Sequence, residues 1–195
     1  MSIVGIKWKQ DGLCGAACAQ MVLHARGLIG TTQDEQDDLW AKIQANTHGQ
    51  SSAGQAACTG VLPVQPFYGM IRDACDAATV KCWCTHPNAL KLTLKERLPV
   101  GVPLTLSKIA DEDLANKKII TCLNRGGLAI VLINNANHWV VVDSWDENAS
   151  EVEMIDPAVG EPAPILVNDW INDHMSAVDC AGSKLDGKYV ILQVG

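Results

Sequence analysis

Basic residues are scarce in this chain. Lysine and arginine total 15 against 22 aspartates and glutamates, a net charge of −7. No positive field is available to hold a phosphate backbone, so nucleic acid is not expected as a ligand. Long apolar runs are missing too. Residues 128–133 and 140–142 are the most apolar stretches, far short of the roughly 20 residues that a membrane-spanning helix needs. The first ten residues hold Lys7 and Lys9 but neither an apolar segment nor a small-residue cleavage site, so no secretory signal is read. The expected location is the cytoplasm, or a target cell reached by a specialised secretion route. No repeat, heptad run or low-complexity tract occurs, which excludes a solenoid or coiled coil.

What is present is a globular composition, 48% hydrophobic and 19% charged over 195 residues. That length fits one domain, residues 1–195, with a core large enough to fold without disulfides. Eight cysteines stand at 14, 18, 58, 75, 82, 84, 122 and 180. With no export signal they read as reduced, mostly buried thiols rather than a disulfide framework.

Helical signals dominate the first part. Residues 14–26 are rich in alanine and unbranched side chains, with Gly27 as a stop. Thr32 and Glu35 have the spacing of a capping box for a helix over 33–47, whose stripe is Leu39, Trp40 and Ile43. Residues 48–60 are small, polar and glycine-rich, the composition of a mobile loop beside a cleft. The pattern then predicts helix 67–78, strand 79–85, helix 87–98, strand 103–109 and helix 111–124. After Gly126 and Gly127 come strands over 128–134, 138–145, 151–155 and 189–194. This order predicts an α+β fold, an N-terminal helical half packed on a C-terminal antiparallel sheet with a cleft between them.

Cys14 falls where the first helix starts. A helix N-terminus presents unpaired N–H groups and partial positive charge, which favour thiolate over thiol. Gly12 and Gly15 leave room for a substrate backbone. Cys18 competes as nucleophile, but it lies one turn inside the helix, where the N–H groups are already paired. A hairpin centred on Glu147 sets His138 directly opposite Asp156, with Cβ atoms about 5 Å apart on one face, close enough for the carboxylate to orient the imidazole. Asp143 is five residues from His138 and points to the other face. The bland alternatives are a core thiol at Cys14 and a half-buried strand histidine beside a turn aspartate.

The segments Gln10 to Cys18, Asn137 to Val142 and Ile155 to Pro157 resemble papain-like cysteine peptidases, closest to the double-glycine peptidases that trim bacteriocin leaders and to related interbacterial toxin domains. The resemblance implies Cys14 as nucleophile, His138 as general base and acid, Asp156 as the residue orienting it, and Gln10 as an oxyanion donor. The family's glutamine usually stands six residues before the cysteine, whereas Gln10 stands four before Cys14. The implied reaction is hydrolysis of a protein substrate after paired glycines in an exposed glycine-rich segment, without cofactor or metal. A catalytic motif this early in the chain, with no transporter module, looks like an effector or toxin domain. Such a domain needs a cognate inhibitor, or immunity protein, in the producing cell. Glycine-rich phosphate-binding loops of essential ATPases such as type II topoisomerases form a target class. The same triad also serves deamidases and transglutaminase-type acyl transferases acting on glutamine, and an inactive binding module is a third reading.

Cys82, Cys84 and His86 alternate and would share one face of a strand, but their spacing does not match common zinc sites. His24 is about 15 Å along the helix from Cys14 and reads as a surface residue. His48 and His174 read as solvated side chains without partners. The acids at 34, 35, 37 and 38 suit the first turns of a helix.

Overall fold

The computed structural model describes residues 3–9, 13–48, 85–134, 138–178 and 185–195. Gln10, Gly12, the loop read over 48–60 from residue 49 on, the helix over 67–78, the strand read over 79–85 up to residue 84, and the cysteines at 58, 75, 82, 84 and 180 lie outside them.

A six-stranded antiparallel sheet forms the middle of the molecule. Its strands are β1 (Leu104–Ile109), β2 (Leu128–Ile133), β3 (His138–Asp146), β4 (Glu151–Asp156), β5 (Glu161–Leu166) and β6 (Tyr189–Val194), in the order β1-β6-β2-β3-β4-β5. Helices α1 (Cys14–Ala25), α2 (Gln33–His48) and α3 (Pro87–Arg97) pack together, with α1 against β3. Helix α4 (Glu112–Leu123) contacts β2, β3 and β6. All six residues of β2 are buried because both sheet faces are covered. Ile130, Leu132, Val141 and Ile155 join the core of α1 to α3, whereas Val131, Val140, Val142 and Met154 join that of α4. The α+β expectation holds, with one addition: α4 lies on the far face, so the sheet is sandwiched rather than one half of two.

Local chemistry explains the helix boundaries. On α1 every residue from Cys14 to Leu23 is buried, and its alanines let neighbouring elements approach closely. The capping box forms as expected, with Glu35 N donating to Thr32 Oγ1 at 3.4 Å and Thr32 N to Glu35 Oε2 at 3.1 Å. Pro87 opens α3 behind His86, whose Nδ1 accepts from Asn88 N at 3.2 Å. Asp111 caps α4 through Leu114 N at 2.7 Å.

Strand β5 is absent from the sequence reading because Pro162 and Pro164 break its strand signal. Its position at the sheet edge, paired only with β4, is where prolines are tolerated. The β3–β4 register also differs. Asp146 Oδ1 accepts from Asn148 N and Ala149 N at 2.8 and 3.0 Å, which moves the turn later than Glu147. Pairs run Asp146↔Glu151 to Ser144↔Glu153, then shift at a bulge to Val142↔Met154 and Val141↔Ile155. Extended by one residue, this register sets Asp156 opposite Val140, not His138. The net slip is two residues, which preserves the face, so His138 and Asp156 meet diagonally.

Candidate active site

Helix α1 begins at Cys14, behind Leu13, which makes no side-chain cap. The first intrahelical bond is Ala17 N to Leu13 O at 2.9 Å, so the preceding N–H groups have no acceptor within the helix. Cys14 is 5% exposed. Gly15 serves packing rather than substrate approach, which corrects the sequence expectation. A Cβ there would lie 2.5 Å from Thr85 Oγ1 and 2.8 Å from Thr85 Cβ, so only glycine fits.

The strand carrying His138 is fixed to that helix by Trp139. Trp139 Nε1 donates to Thr85 O at 3.3 Å, and Cys18 Sγ donates to Trp139 O at 3.3 Å. These bonds hold the start of β3 beside the start of α1. His138 then reaches the carboxylate, with Nε2 2.7 Å from Asp156 Oδ1, and the Cys14 thiol is near enough to act on the titration of the imidazole. With Nε2 taken, Nδ1 is the atom left for the thiol. Asp156 Oδ1 also accepts from Ala158 N at 2.7 Å, and Asp156 O accepts from Gly160 N at 2.7 Å, which locks the turn after β4. Asp143 sits elsewhere, with a hydrogen bond from the Ile3 backbone.

Burial disfavours a charge on His138. The hydrogen bonds to Asp156 and Cys14, and their negative charges, outweigh that penalty and push the imidazole up to about 9. Burial likewise opposes ionisation of Asp156, but the bonds from His138 and Ala158 N, with the charges of His138 and His174, hold its carboxyl below the usual range. Around neutral pH the pair is therefore imidazolium and carboxylate. Cys18 differs: complete burial, then the charges of Cys14 and Asp156, push its thiol well above the ordinary range. That makes it a poor nucleophile. Cys14, Cys18 and Cys122 are free, buried thiols.

The sequence reading missed Trp8. It stands six residues before Cys14, and its ring meets His138 edge-on with centroids 5.1 Å apart. The available signal was a large aromatic between two lysines in an otherwise unremarkable segment. His174 is not partnerless: it stacks on Trp170 at 6.3 Å and its charge acts on Asp156. His24 is half-buried, with Nδ1 3.0 Å from Ile29 O. His86 is a helix cap, and burial, with the Lys108 charge, lowers it to about 4. No group of three or more metal-ligating side chains occurs among the described residues.

No protein-family model and no curated protein matches the sequence. Among solved structures, the chain is similar to a double glycine motif protease from an AMS/PCAT transporter, in complex with the leader peptide. The TM-score is 0.54 and the identity 14%, over 100% of this chain and 93% of that one. The N-terminal peptidase C39-like domain of the toxin secretion ATP-binding protein from Vibrio parahaemolyticus aligns with 96% of this chain and 100% of its own, at a TM-score of 0.44 and 14% identity. No helix among the described residues is long and apolar enough to cross a membrane. Helices packed on an antiparallel sheet, with a cysteine at the first helix's start and a histidine at a strand's start, make this an α+β fold of the papain-like kind, the fold it shares with the solved double glycine motif protease.

Proposed function

We propose that this chain is a cysteine endopeptidase in which Cys14, His138 and Asp156 form the catalytic triad. The observation that carries the reading is the imidazole held at Nε2, 2.7 Å from Asp156, while the Cys14 thiol at the open N-terminus of α1 lies near enough to raise its titration. The Cys14 thiolate attacks the carbonyl carbon of the scissile peptide. The negative charge passes to the carbonyl oxygen, which the N–H of Cys14 stabilises together with Gln10. The imidazolium of His138 gives its proton to the departing amine, leaving a thioester on Cys14. His138 then takes a proton from water, the hydroxide attacks the thioester, and the acid and the free thiolate are regenerated with the imidazolium.

The substrate class we propose is a protein segment with paired glycines, cut on their carboxyl side. A channel too narrow for side chains admits only glycine there. The fold supports this choice, because the similar solved domain is a double glycine motif protease. We further propose that the domain acts as a bacterial effector on a target protein, and that an inhibitor filling the cleft protects the cell that makes it. Glycine-rich phosphate-binding loops are the target class. The test is to express the chain and its Cys14→Ala variant beside whole bacterial protein and to search by mass spectrometry for new chain termini. Termini after paired glycines that vanish in the variant support the reading. Uncut chains with a Cys14-dependent glutamine-to-glutamate change would replace it with a deamidase.

A further inference from the structure

Two wholly buried glutamines lie outside the triad. Gln20 on α1 and Gln36 on α2 are both 0% exposed. Gln36 Nε2 donates to Gln20 Oε1 at 3.1 Å. Gln20 Nε2 in turn donates to Thr32 O at 2.8 Å and Gly30 O at 3.3 Å, tying down the connection between the two helices. What remains of the Gln36 carboxamide is spent on the backbone of the N-terminal segment. Its Oε1 accepts from Lys9 N at 2.8 Å and its Nε2 donates to Lys7 O at 3.3 Å. Both amide protons of each glutamine are used, so this buried polar pair is satisfied.

In extended chain, the amide groups of successive residues point to opposite edges. Lys7 O and Lys9 N face Gln36, so the N–H of Trp8 faces the other way, where it donates to Pro157 O at 2.8 Å. Pro157 directly follows Asp156. Trp8 is thus gripped on one edge by a carboxamide of α2 and on the other by the turn that carries the triad carboxylate. A close contact repeats the hold nearby: Gly160 has φ +80°, and a Cβ on it would lie 2.7 Å from Lys7 Cβ. Between these grips the indole stands edge-on to His138.

We propose that Gln36 is a positioning residue of the site, acting through Trp8 to hold the indole over the His138–Asp156 pair and keep water from it. An apolar side chain would fill the same buried space without gripping Lys7 and Lys9. Charged or titrating groups around the imidazole are Asp156, Cys14 and, through Asp156, His174. Burial lowers His138 and these partners together raise it by more, so admitting water, which weakens both, moves its titration down toward the ordinary value. The consequence for rate rests on the peptidase reading, but the titration does not.

The test is a histidine titration by nuclear magnetic resonance on the full chain, with His138 assigned through His138→Gln. It compares wild type, Gln36→Met, Trp8→Leu and the double variant, with thermal midpoints beside them. Gln36→Met keeps length and apolar volume but loses every hydrogen bond of the carboxamide. The expected result is a fall of roughly half a unit or more in the His138 midpoint in each single variant. The double variant should fall no further than the single ones. A midpoint unmoved in Gln36→Met while the melting temperature drops would overturn the proposal, as would shifts that add in the double variant. Should Gln36→Met not fold, Gln36→Glu keeps the acceptor for Lys9 N but loses the donor to Lys7 O. An unmoved midpoint in both Gln36→Glu and Trp8→Leu then overturns it. Proteolysis measured on the same samples stands apart: its absence refutes the peptidase and leaves the titration result intact.

Discussion

Asp156→Asn is the sharpest perturbation of the proposed triad. Asparagine keeps the shape and an oxygen that accepts from His138 Nε2 and Ala158 N, and removes only the charge. In the folded protein His138 is raised from 6.5 to about 9, worth about 3 kcal/mol between its two protonation states. The imidazole is 11% exposed, so solvent screens little of this. Asp156 shares the effect with Cys14, and losing its charge is expected to lower the midpoint by roughly one to two units. At pH 8 the wild type is then about nine-tenths imidazolium and the variant between about half and one-tenth, a loss of the charged form of about twofold to tenfold. The assay is the pH profile of hydrolysis of a glycine-glycine peptide from pH 5 to 10. Its upper limb should lie near the wild-type midpoint of about 9 and move down in the variant. Stability follows with a definite sign. A raised folded value stabilises the fold fully below pH 6.5, and this contribution is lost as pH rises through about 9. Urea denaturation at pH 6 and pH 10 should therefore show the wild type losing more stability than Asp156→Asn. An upper limb that stays in place in the variant, or equal losses of stability, would refute the assignment of the imidazolium to this carboxylate.

Three further outcomes are expected. Cys18→Ala should leave the alkylation of Cys14 as it is in the wild type, seen as an unchanged iodoacetamide adduct on the peptide containing residue 14. The same variant should lose on the order of 1 kcal/mol of stability through lost packing and the bond to Trp139 O. Gly15→Ala should destabilise by about 1–3 kcal/mol, because the new methyl meets Thr85 Oγ1 at 2.5 Å and Cβ at 2.8 Å; Thr85→Ala in the same chain should restore part of that in urea denaturation, since Cβ remains, and an additive loss would show the clash to be elsewhere. Trp139→Phe keeps an aromatic ring but loses the indole N–H that Thr85 O accepts and part of the buried volume, costing at least about 1–2 kcal/mol; hydrolysis should fall by more than global stability predicts, because the loosened contact lies between Cys14 and His138.

Much of this architecture is written in local signals, and the exceptions are all long-range. Thr32 and Glu35 announce the start of α2 because a capping box is completed within four residues. The alanine-rich run after Cys14 marks a helix in the same way. His138 and Asp156 were paired through a register two residues off, and the pairing survived because an even slip keeps the face. The bulge and the aspartate-capped turn that caused the slip depend on Asp143 and Asp146, whose roles only the folded hairpin reveals. Pro162 and Pro164 hid β5, since proline excludes a central strand but not an edge one, and sequence does not say which strand is the edge. Trp8 was invisible for a related reason: nothing within its own segment tells that Pro157 and Gln36 grip it from opposite sides. Likewise the vacancy at Gly15 was read as space for substrate, whereas a threonine 70 positions later fills it.

The two prolines of β5 have a consequence beyond their own strand. A proline offers no amide proton, so any protons that β5 gives to β4 come from the residues between and beside them, at 161, 163 and 165. The amides turned outward are those at 162 and 164, and these are the ones that proline removes. The free rim of the sheet is left with carbonyl oxygens and no regular row of donors, so a foreign strand cannot dock there by backbone pairing. Copies of the protein crowded together are denied that route to edge-to-edge aggregation, and an extended chain of any other protein finds no berth on this side of the molecule.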